Sequence, residues 1–451
     1  MVVAIIAVSP SAALGLYEVL SSTPNSSVVV IPIQHMSRTA LDSSGGRSTV
    51  ALAKEYDRRR VLQEGVAPVR SGYSIHDTDY YARLTVGGDD NSRDFYFTID
   101  TASELMWIQC QPCRECYPQL DEPVFDPGLS TTLTEVDGRS PLCTRLDSRT
   151  SAPDSPTCTY RITYSDQSYT LGKLVKETIA LQGSGHSFPS IALGCSDTNR
   201  GDFNPTAGIL ALGRNLFFSL PFQLRRRQGN TLSNIISYCF PRMYSHDTST
   251  LTLGSADGPI PPNIAFTPLI TNPVRTEKHL YFVQIIGISV GGRPLVVPRH
   301  TFHIDPRTGK GGTIIDTGST LTDLHKDAYR PLLFTVRNAI SAHAPQLVRD
   351  APYEPFGLDT CYVPQHGVDE DHLYDGVPSV VFRFAEGAQL EVPSDIVLIH
   401  IDNGEGRDER VCVSFAPSAS SMTVLGNLHQ QRIRITIDNE DDRVGFTPNA
   451  C

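Results

Sequence analysis

The sequence predicts a mostly β protein made of two homologous lobes with a cleft between them, and three observations carry that expectation. Apolar and polar residues alternate over short runs broken by Gly, Pro, Asn and Asp. Long helical periodicity is scarce. A short apolar motif ending in Asp-Thr-x-Ser recurs 216 residues downstream, and a second marker trails each copy at nearly the same offset. At 451 residues the chain exceeds what one core usually serves, so more than one domain is expected. Apolar residues at 40% and charged residues at 19% exclude a disordered or fibrous protein. Lys and Arg number 38 against 49 Asp and Glu, and the net charge of -11 argues against nucleic acid or an anionic membrane as partner.

In chain order, the first element is a leader, residues 1–70. Val2 to Val8 form an apolar run followed by small residues, with the length of a signal-peptide core but without its usual basic flank. From Arg38 to Arg70 seven basic residues face four acidic ones, ahead of a body that is strongly acidic, which reads as a removable pro-segment held electrostatically or as a solvated linker. Asn25 opens the only glycosylation sequon and lies in this segment. No later stretch approaches about eighteen uninterrupted apolar residues, so no spanning helix is predicted.

The first lobe is expected over residues 71–266 and the second over 267–451. Strands are predicted at Tyr80 to Val86, at Phe95 to Ile99 and at Tyr281 to Ile286. Two short helices are predicted, one from Asp327 to His343 and a weaker one from Leu220 to Arg227. The repeat pairs Phe97 to Ser103 with Thr313 to Ser319. Its second marker places Ala211 111 residues after Asp100 and Gly426 110 residues after Asp316. Two markers at matching offsets imply two lobes of common origin.

Each apolar strand of the repeat ends in a tight turn that lifts one carboxylate, Asp100 or Asp316, out of its lobe. A single such Asp usually just caps its own backbone. Two in related lobes can meet across a cleft. Like charges about 3 Å apart cannot both ionise, so the pair shares a proton and supplies a general base and a general acid together. That equips it to activate water against a peptide carbonyl without a covalent intermediate. Ser103 and Ser319 can hydrogen-bond the outer carboxylate oxygens, and the hydroxyls of Thr101 and Thr317 can tie the turns to each other.

From Tyr80 to Cys451 the chain resembles the pepsin-like aspartic proteases, and within them the plant nepenthesin-type group. The resemblance is carried by Ile99-Asp100-Thr101-Ala102-Ser103, Met106-Trp107-Ile108-Gln109-Cys110, the Cys cluster from Cys110 to Tyr117, and Phe125-Asp126-Pro127. Further matches are Thr163 to Gly172, Leu193-Gly194-Cys195, Gly311 to Ser319 and the ending from Val444 to Cys451. It implies a bilobal pepsin-like fold with Asp100 and Asp316 as catalytic dyad, supported by Thr101, Ser103, Thr317, Gly318 and Ser319. It also implies a β-hairpin flap in which Tyr164, Ser165 and Asp166 meet substrate, with the indole of Trp107 holding the Tyr164 phenol. The implied protein is a zymogen-derived, monomeric endopeptidase with an acid optimum. It needs no cofactor and no metal, and it acts on polypeptides in the apoplast, the vacuole or a plastid.

Departures from the family pattern lie in the first lobe. Ala102 and Ala211 stand where Gly is usual, and added methyl groups can shift Asp100. Ser165 and Gln167 replace flap glycines, which predicts a stiffer flap. A rival expectation is therefore a catalytically silent binding protein on the same fold, as in plant inhibitors of microbial glycanases.

The remaining signals are weaker. Cys110, Cys113 and Cys116 have metal-like spacing, yet no second Cys/His pair follows at zinc-finger distance, so disulfides are expected. Gly287 to Gly291 satisfies a nucleophile-elbow pattern, but the Pro-containing segment after it cannot begin a useful helix. Arg225 to Arg227 reads as a solvated face, and no Gly-rich phosphate loop is present. Seven Cys (Cys110, Cys113, Cys116, Cys143, Cys158, Cys195, Cys239) fall in the first lobe and three (Cys361, Cys412, Cys451) in the second. Both counts are odd, so full oxidation requires a bridge between lobes. The resemblance points to Cys239 with Cys451, leaving Cys361 with Cys412.

Overall fold

The computed structural model describes residues 29–35, 79–88, 91–119, 123–181, 187–201, 203, 205–214, 217–229, 232–243, 249–254, 264–274, 278–353, 357–401 and 410–450. The fold is mostly β, as the alternating runs predict. Tyr80–Val86 and Arg93–Asp100 pair antiparallel from Tyr81↔Thr98 to Val86↔Arg93, and Phe95, Phe97 and Ile99 turn one face of the second strand into the core.

The constant offset of the two markers has a pairing origin. Arg93–Asp100 runs parallel to Gly208–Ala211, with Asp100 opposite Ala211, and Gly208–Ala211 pairs antiparallel with Trp107–Gln109. Trp107–Gln109 in turn runs parallel to Ser187–Arg200. The second half repeats every step. Thr313–Ile315 is parallel to Thr423–Leu425, which pairs antiparallel with Thr322–Leu324, itself parallel to Phe415–Pro417. Each motif strand thus needs a partner about a hundred residues away, and the marker is that partner.

The two halves share one sheet. Phe266–Pro268, Arg443–Pro448, Ile433–Asp438, Ile235–Cys239, Ser249–Leu253, Val29–His35 and Tyr80–Val86 lie side by side in that order and continue into the sheet of the first half. The expected division at residues 266 and 267 falls inside the strand Phe266–Pro268. One large apolar cluster extends through both halves, from Ile31 and Tyr80 to Val444 and Phe446.

Within the leader, Val29–His35 forms a strand that the sequence reading did not anticipate. It is a full sheet strand, paired with Ser249–Leu253 from Val29↔Leu253 to Ile33↔Ser249 and with Tyr80–Val86 from Ile33↔Ala82 to His35↔Tyr80. The run of β-branched residues there suits a pleated, buried surface, and Ile31 is fully buried. The signal-type run, the sequon at Asn25 and the basic stretch from Arg38 to Arg70 lie outside the described residues.

Both predicted helices form, as Leu220–Arg227 and Lys326–His343. The longer one buries Ala328, Tyr329, Leu332, Leu333, Val336 and Ile340 at helical spacing, and the His325 ring accepts the Asp327 N–H at its start. Arg225 and Arg226 do more than face solvent. Arg225 bonds Glu440 at 3.4 Å and the Leu232 carbonyl at 3.2 Å, and the Arg226 guanidinium lies 5.0 Å from the Phe217 ring centre. Gly287 to Gly291 is no elbow, because Ile285–Val290 turns through Gly291 and Gly292 straight into Arg293–Pro294 as a hairpin. Among the described residues no helix is long and apolar enough to cross a membrane.

Among the described residues four disulfides join Cys110 to Cys195, Cys113 to Cys116, Cys143 to Cys158 and Cys361 to Cys412. The metal-like triplet is thus used up in covalent bridges. Cys361 and Cys412 are direct cross-strand partners. Cys239 is also disulfide-bonded, while Cys451 lies outside the described residues. Non-reduced peptide mapping is expected to recover a Cys239–Cys451 crosslink; a free Cys451 thiol would exclude it.

Candidate active site

The two motif strands end facing each other. Thr101 and Thr317 bind the turns together reciprocally. The Thr101 N–H donates to Thr317 Oγ1 at 3.0 Å and the Thr317 N–H to Thr101 Oγ1 at 3.1 Å. Each hydroxyl then donates onward across the interface, Thr101 to the Ile315 carbonyl at 3.2 Å and Thr317 to the Ile99 carbonyl at 2.8 Å. Both threonines are fully buried. These four bonds in a water-excluded site fix the separation of the halves where the carboxylates meet.

Each carboxylate is held by its own turn. Asp100 Oδ1 accepts the Ala102 N–H at 2.7 Å and Asp316 Oδ1 accepts the Gly318 N–H at 2.9 Å. The Ser319 hydroxyl donates to Asp316 Oδ2 at 2.8 Å, and the Ser103 hydroxyl donates to Asp100 Oδ2. The inner oxygens therefore have fixed directions. Gly318 leaves them room, since a Cβ there would lie 2.9 Å from Asp100 Cγ and Oδ1.

Burial pushes the pKa of both carboxyls above the ordinary value. For Asp100 the charge of Asp316 raises it further, while bonds from Ser103 and Ala102 pull it back. For Asp316 burial is opposed by Ser319, the Gly318 N–H and the nearby His279. The pair titrates as a unit, with apparent values that belong to neither Asp alone. Over the intervening acid range it holds one proton between two carboxyls.

The hairpin Thr159–Thr163 and Tyr169–Leu181 carries Tyr164, Ser165 and Asp166 in its tip. The Trp107 indole N–H donates to the Tyr164 hydroxyl at 2.8 Å. Burial, then the charge of Asp100, holds the Tyr164 phenol well above its ordinary pKa, so it stays neutral. Asp166 Oδ1 accepts the Ser168 N–H at 2.9 Å and closes the tip. Gln167 adopts φ 73°, the left-handed backbone for which Gly is the usual residue, so the tip carries local strain.

Ala102 and Ala211 differ from Gln167 in this respect. Neither takes a positive φ. Ala211 is fully buried in the main core, and Ala102 packs against an apolar cluster built on Leu280, Phe282 and Ile314 of the other half. The Ala102→Gly variant is accordingly expected to leave turnover within about a factor of three and to cost roughly 0.5–1 kcal/mol of stability. Steady-state kinetics and a thermal melt check this, and a tenfold gain in turnover would show that the methyl strains the turn.

Several supporting residues escaped the sequence. Gln430 Nε2 donates to the Asp316 carbonyl at 3.2 Å and to the Leu425 carbonyl at 2.8 Å, and Asn427 Nδ2 donates to the Thr317 carbonyl at 3.1 Å. The polar run after the second marker was the available signal. Phe203 packs edge-on to Trp107 and Tyr164, with ring centres 5.2 and 5.7 Å away, and has no motif to announce it. Glu104, next to Ser103, is held up to about pH 7 by burial and then by the charge of Asp147. Among the described residues no group of three His, Cys, Asp or Glu is placed to hold a metal ion.

Comparison with known proteins places this geometry. Residues 80–255 match the family model described as Xylanase inhibitor N-terminal, and residues 280–448 match Xylanase inhibitor C-terminal. The chain is similar to Aspartyl protease family protein 2 of Arabidopsis thaliana, 35% identical over 424 residues that cover 92% of this chain and 81% of that one. It is also similar to Aspartic proteinase nepenthesin-2 of Nepenthes gracilis, 32% identical over 386 residues covering 85% and 80% of the two chains. Among solved structures, that of edgp superposes with a TM-score of 0.66 at 17% identity, over 94% of this chain and 95% of that one. This last likeness is one of fold.

Proposed function

The chain belongs to the plant nepenthesin-type group of pepsin-like aspartic proteases, and from that premise we propose that it is an endopeptidase hydrolysing extended polypeptides at acid pH. The observation that carries the reading is the reciprocal Thr101–Thr317 bonding, which sets Asp100 and Asp316 facing each other with their Oδ1 and Oδ2 atoms already oriented. A water held between the inner oxygens loses a proton to the ionised carboxylate as it attacks the peptide carbonyl carbon. The protonated carboxyl gives its proton to the carbonyl oxygen, producing a tetrahedral diol. Proton transfer to the nitrogen then lets the C–N bond break, and the pair returns to holding one proton.

The flap supplies the cover. Tyr164, fixed by Trp107, closes over the extended substrate and excludes water from the reacting carbonyl, with Ser165 and Asp166 shaping the tip. The protein acts as a monomer on polypeptides, made as a zymogen whose leader, residues 1–70, is removed; the strand Val29–His35 then leaves the shared sheet or remains bound after cleavage. Disulfides of this number fit an oxidising compartment, for which apoplast or vacuole is proposed and a plastid is the alternative.

The second reading, a silent binding protein, draws on the description of the matching family model and on Ala102 and Ala211. Both alanines sit without positive φ, which favours catalysis. A pH–rate profile on an internally quenched peptide separates the two. Activity is expected to be highest in acid and to fall as pH rises through the upper apparent pKa of the pair, because the general acid then loses its proton. No cleavage at any pH, or a maximum near pH 8, would overturn the proposal.

A further inference from the structure

The second half holds, within reach of the charge of Asp316, a carboxylate that neither catalytic turn uses. Asp323 lies in mid-strand in Thr322–Leu324, whose other two residues are fully buried on the core side. Strand alternation puts Asp323 on the opposite face. The register makes Asp323 the neighbour of Val424, Val424 that of Ile314, and Ile314 that of Phe282, so these four stand in one row across the sheet. Phe282 and Ile314 belong to the small apolar cluster that Val424 and, from the facing half, Ala102 pack against. Ala102 is the residue between Thr101 and Ser103 in the first motif turn. The row therefore starts at the reaction centre and ends at Asp323.

Asp323 is half-buried and unused. Among the described residues no hydrogen bond or ion pair engages its carboxylate, and its ionisation responds to burial first and to the charge of Asp316 second, which hold its pKa up at about 6. The nearest charged residues along the chain point elsewhere. His325 is taken up in capping the helix, and Lys326 lines a separate depression with Tyr329, Arg330 and Phe334. An unpaired, partly desolvated carboxylate is costly, and a cation brought by a ligand removes that cost.

We propose that Asp323 is a specificity-determining residue that selects substrates with a Lys or Arg side chain close to the scissile bond. The methylenes of that side chain lie along the partly exposed Val424, and its cationic head meets the Asp323 carboxylate. The proposal rests on reading the cleft as a peptide-binding one and names the class of peptide it prefers.

Two measurements test it. In the first, wild type and Asp323→Asn cleave peptide libraries at pH 6 that differ only in Lys or norleucine at each position flanking the scissile bond. Wild type is expected to favour Lys by about tenfold or more in kcat/KM at one position, as a charge-assisted hydrogen bond allows. Asp323→Asn should lose that preference and cleave the norleucine peptide as well as wild type does. The same preference in both proteins overturns the assignment. In the second, calorimetry compares binding of non-hydrolysable statine peptides carrying Lys or norleucine. If wild type cleaves nothing, the proteolytic reading fails, yet tighter Lys binding in wild type alone still establishes the subsite. Equal or absent binding of the two peptides removes it.

Discussion

Replacing Asp316 by Asn is expected to lower kcat/KM by at least about a thousandfold while leaving the fold intact. The amide can neither take a proton from water nor share one with Asp100, and general acid–base catalysis of this kind contributes roughly 10²–10⁴ in rate on its own. The amide keeps the shape of the carboxyl, so the Gly318 N–H still has an oxygen to reach and the Thr101–Thr317 bonding is untouched. Stability should move the other way. Both carboxyls have folded-state pKa values raised by burial above the ordinary carboxylate value. A raised pKa means a contribution fully present below the unfolded value and lost as pH rises through the folded one. At neutral pH the ionised pair is therefore a liability, and Asp316→Asn should melt higher than wild type at pH 7 and no higher at pH 3. A quenched-peptide assay and melts at the two pH values check both halves, and undiminished cleavage by the variant would sink the assigned role of Asp316.

Gly318→Ala should be the most damaging change that adds only a methyl. The new Cβ would sit 2.9 Å from Asp100 Cγ and Oδ1 and 3.2 Å from Oδ2, closer than carbon contacts allow. Either the Asp100 carboxylate or the second turn must give way, and both are fixed by the hydrogen bonds that orient the dyad. A displacement on the order of 1 Å costs about a hundredfold in rate. The backbone at Gly318 has no positive φ, so the chain itself tolerates Ala. The expected result is a hundredfold fall in kcat with KM little changed and the protein still folded. The contrast with Ala102 is informative, because the methyl there points into the cluster of Phe282 and Ile314. Turnover unchanged in Gly318→Ala would mean that the Asp100 carboxylate is not held in place by its turn.

Much of this site was legible because the chemistry repeats. Asp-Thr-x-Ser appears twice, and its trailing markers are the parallel partners of the motif strands, so the offset encodes a pairing. What stayed hidden is contact made at long range without a repeated motif. Gln430 and Asn427 support only the second turn, so no duplicate reveals them. Phe203 reaches Trp107 across 96 residues of sequence. Val29–His35 was passed over inside the leader, although its own β-branched run was a strand signal that pairing with Ser249–Leu253 realises. Asp323 sits in an apolar strand beside Thr322 and Leu324, and only the register shows that it faces away from the core. Gln167 stands where Gly is usual and takes the left-handed backbone, φ 73°, that Gly supplies without strain.

The central claim, that Asp100 and Asp316 activate water for peptide hydrolysis, is tested most directly by incubating the purified protein with denatured globin between pH 3 and 5, with and without a pepstatin-type inhibitor. Globin fragments are expected that disappear when the inhibitor is present and that Asp316→Asn does not produce. Globin left intact across that range, or cut equally well with the inhibitor bound, would contradict it.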